Sequence, residues 1–474
     1  MFVGREVQLA RLGSLLDRVR SADDAKPGRA LLIRGRRRVG KSRLVEEFVD
    51  RVDLPSLFFA ASGRPVADEL RLFAEEAASS NLPGAGLFDE VELSSWDAAL
   101  RLLASALPDD GSIVVLDEIP YLIANDKNFE GSLQRAFDRE LARKRVLLIG
   151  IGSDLAMMET LNEYGRPFHQ RATEMVVPAL TPAEVGQLLD LGSADAFDAY
   201  LVTGGLPLIC NEWPKSASLW DYLRMATSDP TSALLVSGER SLAAEFPSDT
   251  QARTVLGAIG TGERTFTNIG RAAGNIPQGS LNRSLNQLIA KRIVSVDQPL
   301  STRAAAKDKR YRIADPYLRF WLAFLGPHLA EIERGRGDRV LARIKASWTS
   351  WRGRAVEPVL RDAIERLGPA VARGPDDVPG VVGAYWTRTN DPEIDIVIGD
   401  RLPVPKQVIA LGSIKWLENT PFDAHDLGAL QAHRAQLPGA TPSTPLLAVS
   451  RSGCTAEGIT AVGPDELIAA YSDT

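Results

Sequence analysis

Residues 30–42 read ALLIRGRRRVGKS, and this stretch decides the fold. Ala30 to Arg34 is a short apolar run of the kind that fills a buried parallel strand. It passes directly into a glycine-framed loop and then into an amphipathic helix expected from Arg43. Strand, loop and helix in that order make a phosphate cradle. Gly35 and Gly40 let backbone amides wrap an anion, Lys41 reaches the β and γ oxygens, and the Ser42 hydroxyl is a magnesium ligand. The stretch from Gly35 through Arg36, Arg38, Val39, Gly40, Lys41 and Ser42 to Arg43 is therefore expected to bind ATP with Mg2+.

Working outward, a second apolar strand at Ile113 to Leu116 ends in Asp117 and Glu118. A carboxylate pair there places one acid at the metal and another at the attacking water. Asp117 is assigned to magnesium and Glu118 to water, although a solvated acidic pair at a strand end has the same pattern. A third strand, Val146 to Ile151, leads to Ser153 at the carboxyl edge where open α/β sheets bind ligands. Ser153 either senses the γ-phosphate or caps the following helix.

The whole chain bounds these readings. Its 474 residues exceed one ordinary core, so two to four domains are expected. With 45% hydrophobic and 24% charged residues it has the composition of a folded globular protein. No signal-peptide core occupies Met1 to Leu12, no run reaches membrane-spanning length, and Tyr317 to Leu329 is interrupted by Arg319 and Pro327. A cytoplasmic protein with no membrane partner is expected, and Cys210 and Cys454 lack metal-ligand spacing.

The opening Phe2-Val3-Gly4-Arg5, the GRRRVGKS loop, the LDE strand end and the later GGLP together resemble the archaeal-type ATPases of the AAA+ and STAND-like group. The resemblance implies that Phe2, Val3, Gly4 and Arg5 pack at the adenine. It also implies that Gly205 to Pro207 lies in a helical lid near the nucleotide, and that the protein is a homo-oligomer. Arg166, in EYGRPFHQR, resembles the group's post-sensor arginine and would act on a neighbour's γ-phosphate. A plain salt bridge is the other reading of Arg166.

After the lid, helical periodicity at Val255, Leu256, Ile259 and again at Ile269, Ala272 and Ala273 is followed by a turn. Ser280 is then expected to cap a helix with Leu281, Leu285, Leu288 and Ile289 on one face. This is a winged helix-turn-helix pattern. Asn282, Arg283 and Asn286 occupy the opposite face, Lys291 follows, and a loop with Arg303, Lys307, Lys309 and Arg310 reads as a basic wing. Gln251 to Asp315 holds 11 Lys and Arg against 4 Asp and Glu, net +7, so the remainder of a chain of net charge −6 carries −13. That polarity points to DNA. Packing inside the protein, against its acidic remainder, is the competing reading.

The junction YRIADPYLRFWLAF, residues 311–324, resembles the one in archaeal-type ATPases with a C-terminal restriction-endonuclease-like domain. Strands are expected at Val381 to Trp386, Glu393 to Ile398 and Gln407 to Trp416, with Glu357 in the preceding helix. Asp395 and Lys415 fit the nuclease pattern, but Gly412-Ser413-Ile414-Lys415 puts a serine where the family has its second metal acid, and a hydroxyl is a poor magnesium ligand. The site Glu357, Asp395, Ser413, Lys415 thus reads as degenerate, or Asp395 and Lys415 form a cross-strand ion pair.

The sequence as a whole predicts an α/β P-loop core over 1–180, a helical lid over 181–245, a winged helix over 246–330 and an endonuclease-like α/β domain over 331–474. Its expected function is ATP-controlled DNA binding. An ATP-dependent nuclease of defence or repair and a STAND-like scaffold with an internal winged helix are the alternatives.

Overall fold

The computed structural model describes residues 4–22, 25–246, 250–303, 308–368 and 380–471, so Phe2, Val3 and Lys307 lie outside the described residues. The chain divides into two compact units, Met1–Ala179 and Leu180–Thr474. Among the described residues no helix is long and apolar enough to cross a membrane.

The first unit is built on β1 (Arg29–Arg34), β2 (Ser56–Ala60), β3 (Ser112–Asp117), β4 (Val146–Gly152) and β5 (Ala172–Val176). All neighbours pair in parallel, in the order β2-β3-β4-β1-β5. Every residue of β3 and β4 is buried, which is why both read as unbroken apolar runs rather than alternating ones. Phe59, Phe73, Trp96 and Phe129 make an aromatic cluster against the sheet, with Phe59–Phe73 and Trp96–Phe129 centroids 5.2 Å apart, edge to face. Truncating one such buried ring costs about 3–5 kcal/mol. The central strands β1, β3 and β4 deliver their following loops to one edge of the sheet, and the candidate site lies there.

The second unit opens with helices Pro182–Leu189 and Ser193–Thr203. The first is fixed by reciprocal capping: Glu184 N donates to Thr181 Oγ1 at 3.2 Å, and Thr181 N donates to Glu184 Oε2 at 2.7 Å. The second ends where Gly204 and Gly205 turn with φ of 61° and 65°. Gly205 cannot be replaced easily, because a Cβ there would meet the Leu180 carbonyl oxygen at 2.0 Å. Leu180 N donates to Gly205 O at 2.9 Å, so the GGLP turn, with Pro207 starting the short helix Pro207–Cys210, anchors the beginning of this unit.

Three helices, Thr250–Gly260, Phe266–Ala272 and Gln278–Ala290, precede an antiparallel pair, β6 (Val294–Asp297) and β7 (Arg310–Ile313). The expected cap at Ser280 is corrected. Pro277 holds the cap position with its fixed φ, so the helix starts at Gln278 and Ser280 lies in its first turn. A 31-residue helix, Gly337–Leu367, leads to β8 (Val381–Trp386), β9 (Glu393–Gly399), β10 (Val408–Lys415), β11 (Leu446–Ser450) and β12 (Thr460–Val462). These strands form a sheet in the order β12-β11-β10-β9-β8, antiparallel from β8 to β10 and parallel from β10 to β12. Strand alternation sorts its residues into two cores. Ile396, Ile398 and Ala410 pack with Val356, Leu360 and Ile364 of the long helix, while Val397, Leu411 and Ala448 pack with Phe422 and Leu430.

Two features knit this unit together. Leu300, from the segment between β6 and β7, enters the second of those cores, and its N–H donates to Ala384 O at 2.8 Å. Arg352, fully buried on the long helix, donates to Asp198 Oδ2 at 3.0 Å, Glu418 Oε1 at 2.6 Å and the Trp416 carbonyl at 3.0 Å.

Candidate functional site

β1 ends at Arg34, and the loop that follows must pass close to β5. A Cβ on Gly35 would lie 2.4 Å from the Val177 carbonyl oxygen, so glycine is required there by contact. Gly40 takes φ of 85° as it caps the helix Lys41–Val52, a conformation that favours glycine. The loop thereby delivers the amides of a helix N-terminus to the sheet edge, the arrangement that binds phosphate. Arg5, 5% exposed, donates from Nη2 to the Val39 carbonyl at 2.9 Å. Arg5 thus braces the phosphate loop itself, where the resemblance implies packing at the adenine.

Lys41 is buried and donates from Nζ to Gly35 O at 2.9 Å, Arg36 O at 3.1 Å and Ser153 Oγ at 2.9 Å. Burial holds its pKa below the usual lysine value, against the opposing pull of Glu118 and Asp117. Ser42 Oγ donates to Asp117 Oδ2 at 2.5 Å. Burial raises the Asp117 pKa, while bonds from Ser42 and the Glu118 amide oppose the rise. Glu118 begins the helix Ile119–Asn125 in the left-handed region, φ 54°, and its amide donates to Asp117 Oδ1 at 2.8 Å. Ser153 Oγ donates to Glu118 Oε1 at 2.6 Å. Lys41, Ser153 and Glu118 therefore form one hydrogen-bonded chain across β1, β4 and β3, beside the Ser42–Asp117 pair. The cap of the next helix is Asp154, which accepts from Met157 N, so Ser153 is left to the site.

The remaining predicted residues of this unit are placed differently. The guanidinium of Arg43 is exposed and pairs with Glu46 and Glu47 on its own helix. Arg166 Nη2 lies 2.5 Å from Oε2 of Glu130, a carboxylate 6% exposed, which is the plain salt bridge. Sequence reasoning missed Arg37, whose Nη2 donates to the Tyr121 hydroxyl at 3.1 Å. The Ser42 hydroxyl with the Asp117 carboxylate is a hard oxygen set that fits Mg2+, and the loop amides with Lys41 fit a polyphosphate.

In the second unit, Asn282, Arg283 and Asn286 share the exposed face of Gln278–Ala290, with Leu281, Leu285 and Leu288 buried opposite. Lys291, Arg303 and Lys309 are exposed. Arg310 turns inward, against the expectation of a free wing. Its guanidinium pairs with Glu393 at 2.5 Å, donates to Asn390 Oδ1 at 2.6 Å and stacks over Trp386 at 4.2 Å. Opposite charge from Glu393, 83 residues away, and the aromatic face of Trp386 compete successfully with solvent.

At the sheet of this unit, Asp395 Oδ2 accepts from Ser413 Oγ at 3.0 Å and Ile414 N at 2.9 Å. Lys415 does not pair with Asp395. It donates to Asp426 Oδ2 at 2.5 Å, at the start of the helix Ala424–Gln436, so the cross-strand ion pair is corrected. Glu357 pairs with Arg361 at 2.7 Å, and Arg361 Nε donates to the Asp395 carbonyl. Burial pushes the Glu357 carboxyl up to about 7 and raises that of Asp395. The serine in the metal-acid position spends its hydroxyl on Asp395.

A parallel sheet of this order, with a glycine loop after β1 and an acid pair after β3, defines a P-loop nucleotide-binding core. Residues 321–427 match the family model DUF234, described as archaea bacterial proteins of unknown function. An uncharacterized protein of Methanocaldococcus jannaschii is 26% identical over 414 residues, 84% of each chain. Among solved structures, the Walker-type ATPase of Pyrococcus abyssi is similar at TM-score 0.46 and 20% identity, covering 68% of this chain and 96% of that one. The Aeropyrum pernix ORC2 protein is similar at TM-score 0.46 and 12% identity, covering 72% and 95%. The fold follows from the chain's own strand order and phosphate loop rather than from these likenesses.

Proposed function

We propose that this protein binds and hydrolyses ATP at the P-loop, and that nucleotide state controls DNA binding through the three-helix and β6–β7 region, read as a winged helix. The Lys41–Ser153–Glu118 chain beside Ser42–Asp117 carries the ATPase reading. It supplies a cation for the γ-phosphate, a carboxylate to orient water and a hydroxyl joining the two. Ser42 and Asp117 would hold Mg2+, which supplies charge neutralisation at the phosphates when bound. Lys41 now bonds to loop carbonyls, and an arriving phosphate would exchange those bonds for its own oxygens. That exchange would shift the Ser153 hydroxyl and, through it, Glu118. Arg166, held by Glu130, is assigned a structural role. In this reading the helical segment 181–245 is a lid, and assembly into a homo-oligomer places no demand on Arg166.

The DNA reading rests on the exposed Asn282, Arg283 and Asn286 face with its net positive surroundings. The docking of Leu300 and Arg310 favours one competing reading, in which the winged helix is an internal module. Nuclease action is disfavoured, because Ser413 replaces the second acid and Lys415 is engaged by Asp426.

DNA binding by the full chain, without nucleotide and with a nonhydrolysable ATP analogue, across a salt series, tests the proposal. Salt-sensitive binding that nucleotide alters and an Asn282/Arg283/Asn286→Ala variant loses supports it. Absence of binding at low salt leaves the internal module.

A further inference from the structure

Four arginines from separate parts of the second unit converge on one cleft of about 440 Å3. Arg264 follows the helix Thr250–Gly260, Arg312 is on β7, Arg319 is on the helix Pro316–Phe320, and Arg354 is on the long helix. Among the described residues no carboxylate lines it. Acids do line the adjoining cavity. Three of them already have a cation, and the fourth, Asp395, accepts from Ser413 Oγ and Ile414 N. Asp297 takes Arg312 Nε on both oxygens, at 3.2 and 2.9 Å, and Glu357 takes Arg361. Glu393 takes Arg310 and leaves Arg264 at 3.9 Å.

Among the described residues, Arg319 and Arg354 form no ion pair, and the Arg354 side chain reaches Ser350 at 3.5 Å. Burial pushes the Arg319 pKa down to about 10. Arg312, Arg264 and Arg354 add to the fall by repulsion, and Glu357 opposes it. Arg319 and Arg354, two like charges with no ion-pair partner of their own among the described residues, raise the energy of the empty cleft, and an anion relieves it.

The residues that this cleft does not share with its neighbours have another chemistry. Phe324 and Trp351, with centroids 5.4 Å apart, stand beside Ile259, Ala323 and the hydroxyls of Ser347 and Ser350. The volume is in the range of about 300–1,000 Å3 typical of small-molecule sites, and arginines beside aromatic faces suit a flat ring that carries phosphate.

We propose that this cleft is a second nucleotide site, taking the phosphate of a free nucleoside phosphate on Arg264, Arg312, Arg319 and Arg354 and its base against Phe324 and Trp351. The site belongs to the second unit and is independent of the P-loop. It would make that unit responsive to a small-molecule signal in addition to ATP.

The test is calorimetric titration of the full chain in a Lys41→Ala background, which disables the P-loop, with AMP, GMP, CMP, UMP and orthophosphate as probes. At least one nucleoside monophosphate is expected to bind at least ~10-fold tighter than orthophosphate, and to lose ~10-fold or more in Arg354→Gln. Ser347→Trp, at an exposed helix position, blocks the cleft without removing charge and is expected to abolish binding. Thermal unfolding of both variants confirms that they fold. No binding at millimolar concentration, equal binding of orthophosphate, or binding unchanged in both variants overturns the proposal. A 5′-phosphorylated duplex that displaces the nucleotide, where its dephosphorylated twin does not, would assign the cleft to nucleic-acid ends and also overturn it.

Discussion

Ser153 Oγ donates to Glu118 Oε1 at 2.6 Å while accepting from Lys41 Nζ at 2.9 Å, so the cation and the carboxylate meet through one hydroxyl. Removing that hydroxyl leaves both end groups but disconnects them. In Ser153→Ala, ATP affinity is expected to stay within a few-fold while the hydrolysis rate falls about 10–100-fold, the worth of one charge-assisted hydrogen bond. Glu118→Gln, which keeps the shape and removes the base, is expected to cost about 10²–10⁴-fold at retained affinity. Steady-state turnover beside equilibrium nucleotide binding reads both. A parallel loss of affinity in Ser153→Ala would make the hydroxyl a loop support instead.

Arg5 reaches the phosphate loop from the N-terminus, donating to Val39 O from a nearly closed site. Arg5→Ala leaves that carbonyl unpaired and loosens the loop between its two glycines. An unsatisfied buried group costs about 1–3 kcal/mol. The expected result is weaker ATP binding and a lower melting temperature together, with turnover at saturating ATP little changed. Differential scanning fluorimetry with and without nucleotide separates this from direct adenine contact, which would lower affinity without lowering the melting temperature of the free protein.

The first unit was legible in sequence because its chemistry is local. The strand, the glycine loop, Lys41 and Ser42 are contiguous, and Asp117, Glu118 and Ser153 each end an unmistakable apolar run. What joins them is not local. Nothing in the spelling of Arg5 says that it meets Val39, or that Arg166 is claimed by Glu130. In the second unit the loss is larger for the same reason. Leu300 sits in a stretch that reads as an exposed wing, and Arg310 reads as one more wing cation, but partners more than 80 residues away draw both inward. Lys415 met Asp426, eleven residues on, where the strand pattern suggested Asp395.

The inward turn of Arg310 separates two effects that a cluster of basic residues would merge. Asn282/Arg283/Asn286→Ala is expected to abolish sequence-dependent DNA binding with the fold intact, since all three side chains are exposed. Arg310→Ala is expected to destabilise the second unit by about 1–3 kcal/mol, because it leaves Glu393 only the long Arg264 contact at 3.9 Å and uncovers Trp386, while DNA affinity per folded molecule changes little. Chemical denaturation and fluorescence anisotropy on both variants check the pair of outcomes. A large affinity loss in folded Arg310→Ala would return that residue to the DNA surface.

The buried Asp198 sets a pH dependence of its own. Burial pushes its carboxyl up to about 6, even though Arg451 and Arg352 stand against it at 3.3 and 3.0 Å, and its Oδ1 has no hydrogen-bond partner among the described residues. In the unfolded chain the same group titrates near 3.8. Between those values the folded protein holds a proton that the unfolded chain has released, so stability falls as pH rises. The contribution is complete below the unfolded value and gone once pH passes the folded one. A gap of that size is worth on the order of 3 kcal/mol. Urea midpoints measured from pH 4.5 to 7 should show this decline superimposed on the other titrations, and Asp198→Asn should flatten it while leaving Arg352 bonded to Glu418 and the Trp416 carbonyl. A wild-type profile that Asp198→Asn leaves unchanged would show that the two guanidiniums keep Asp198 charged throughout, as an ion pair rather than a buried acid.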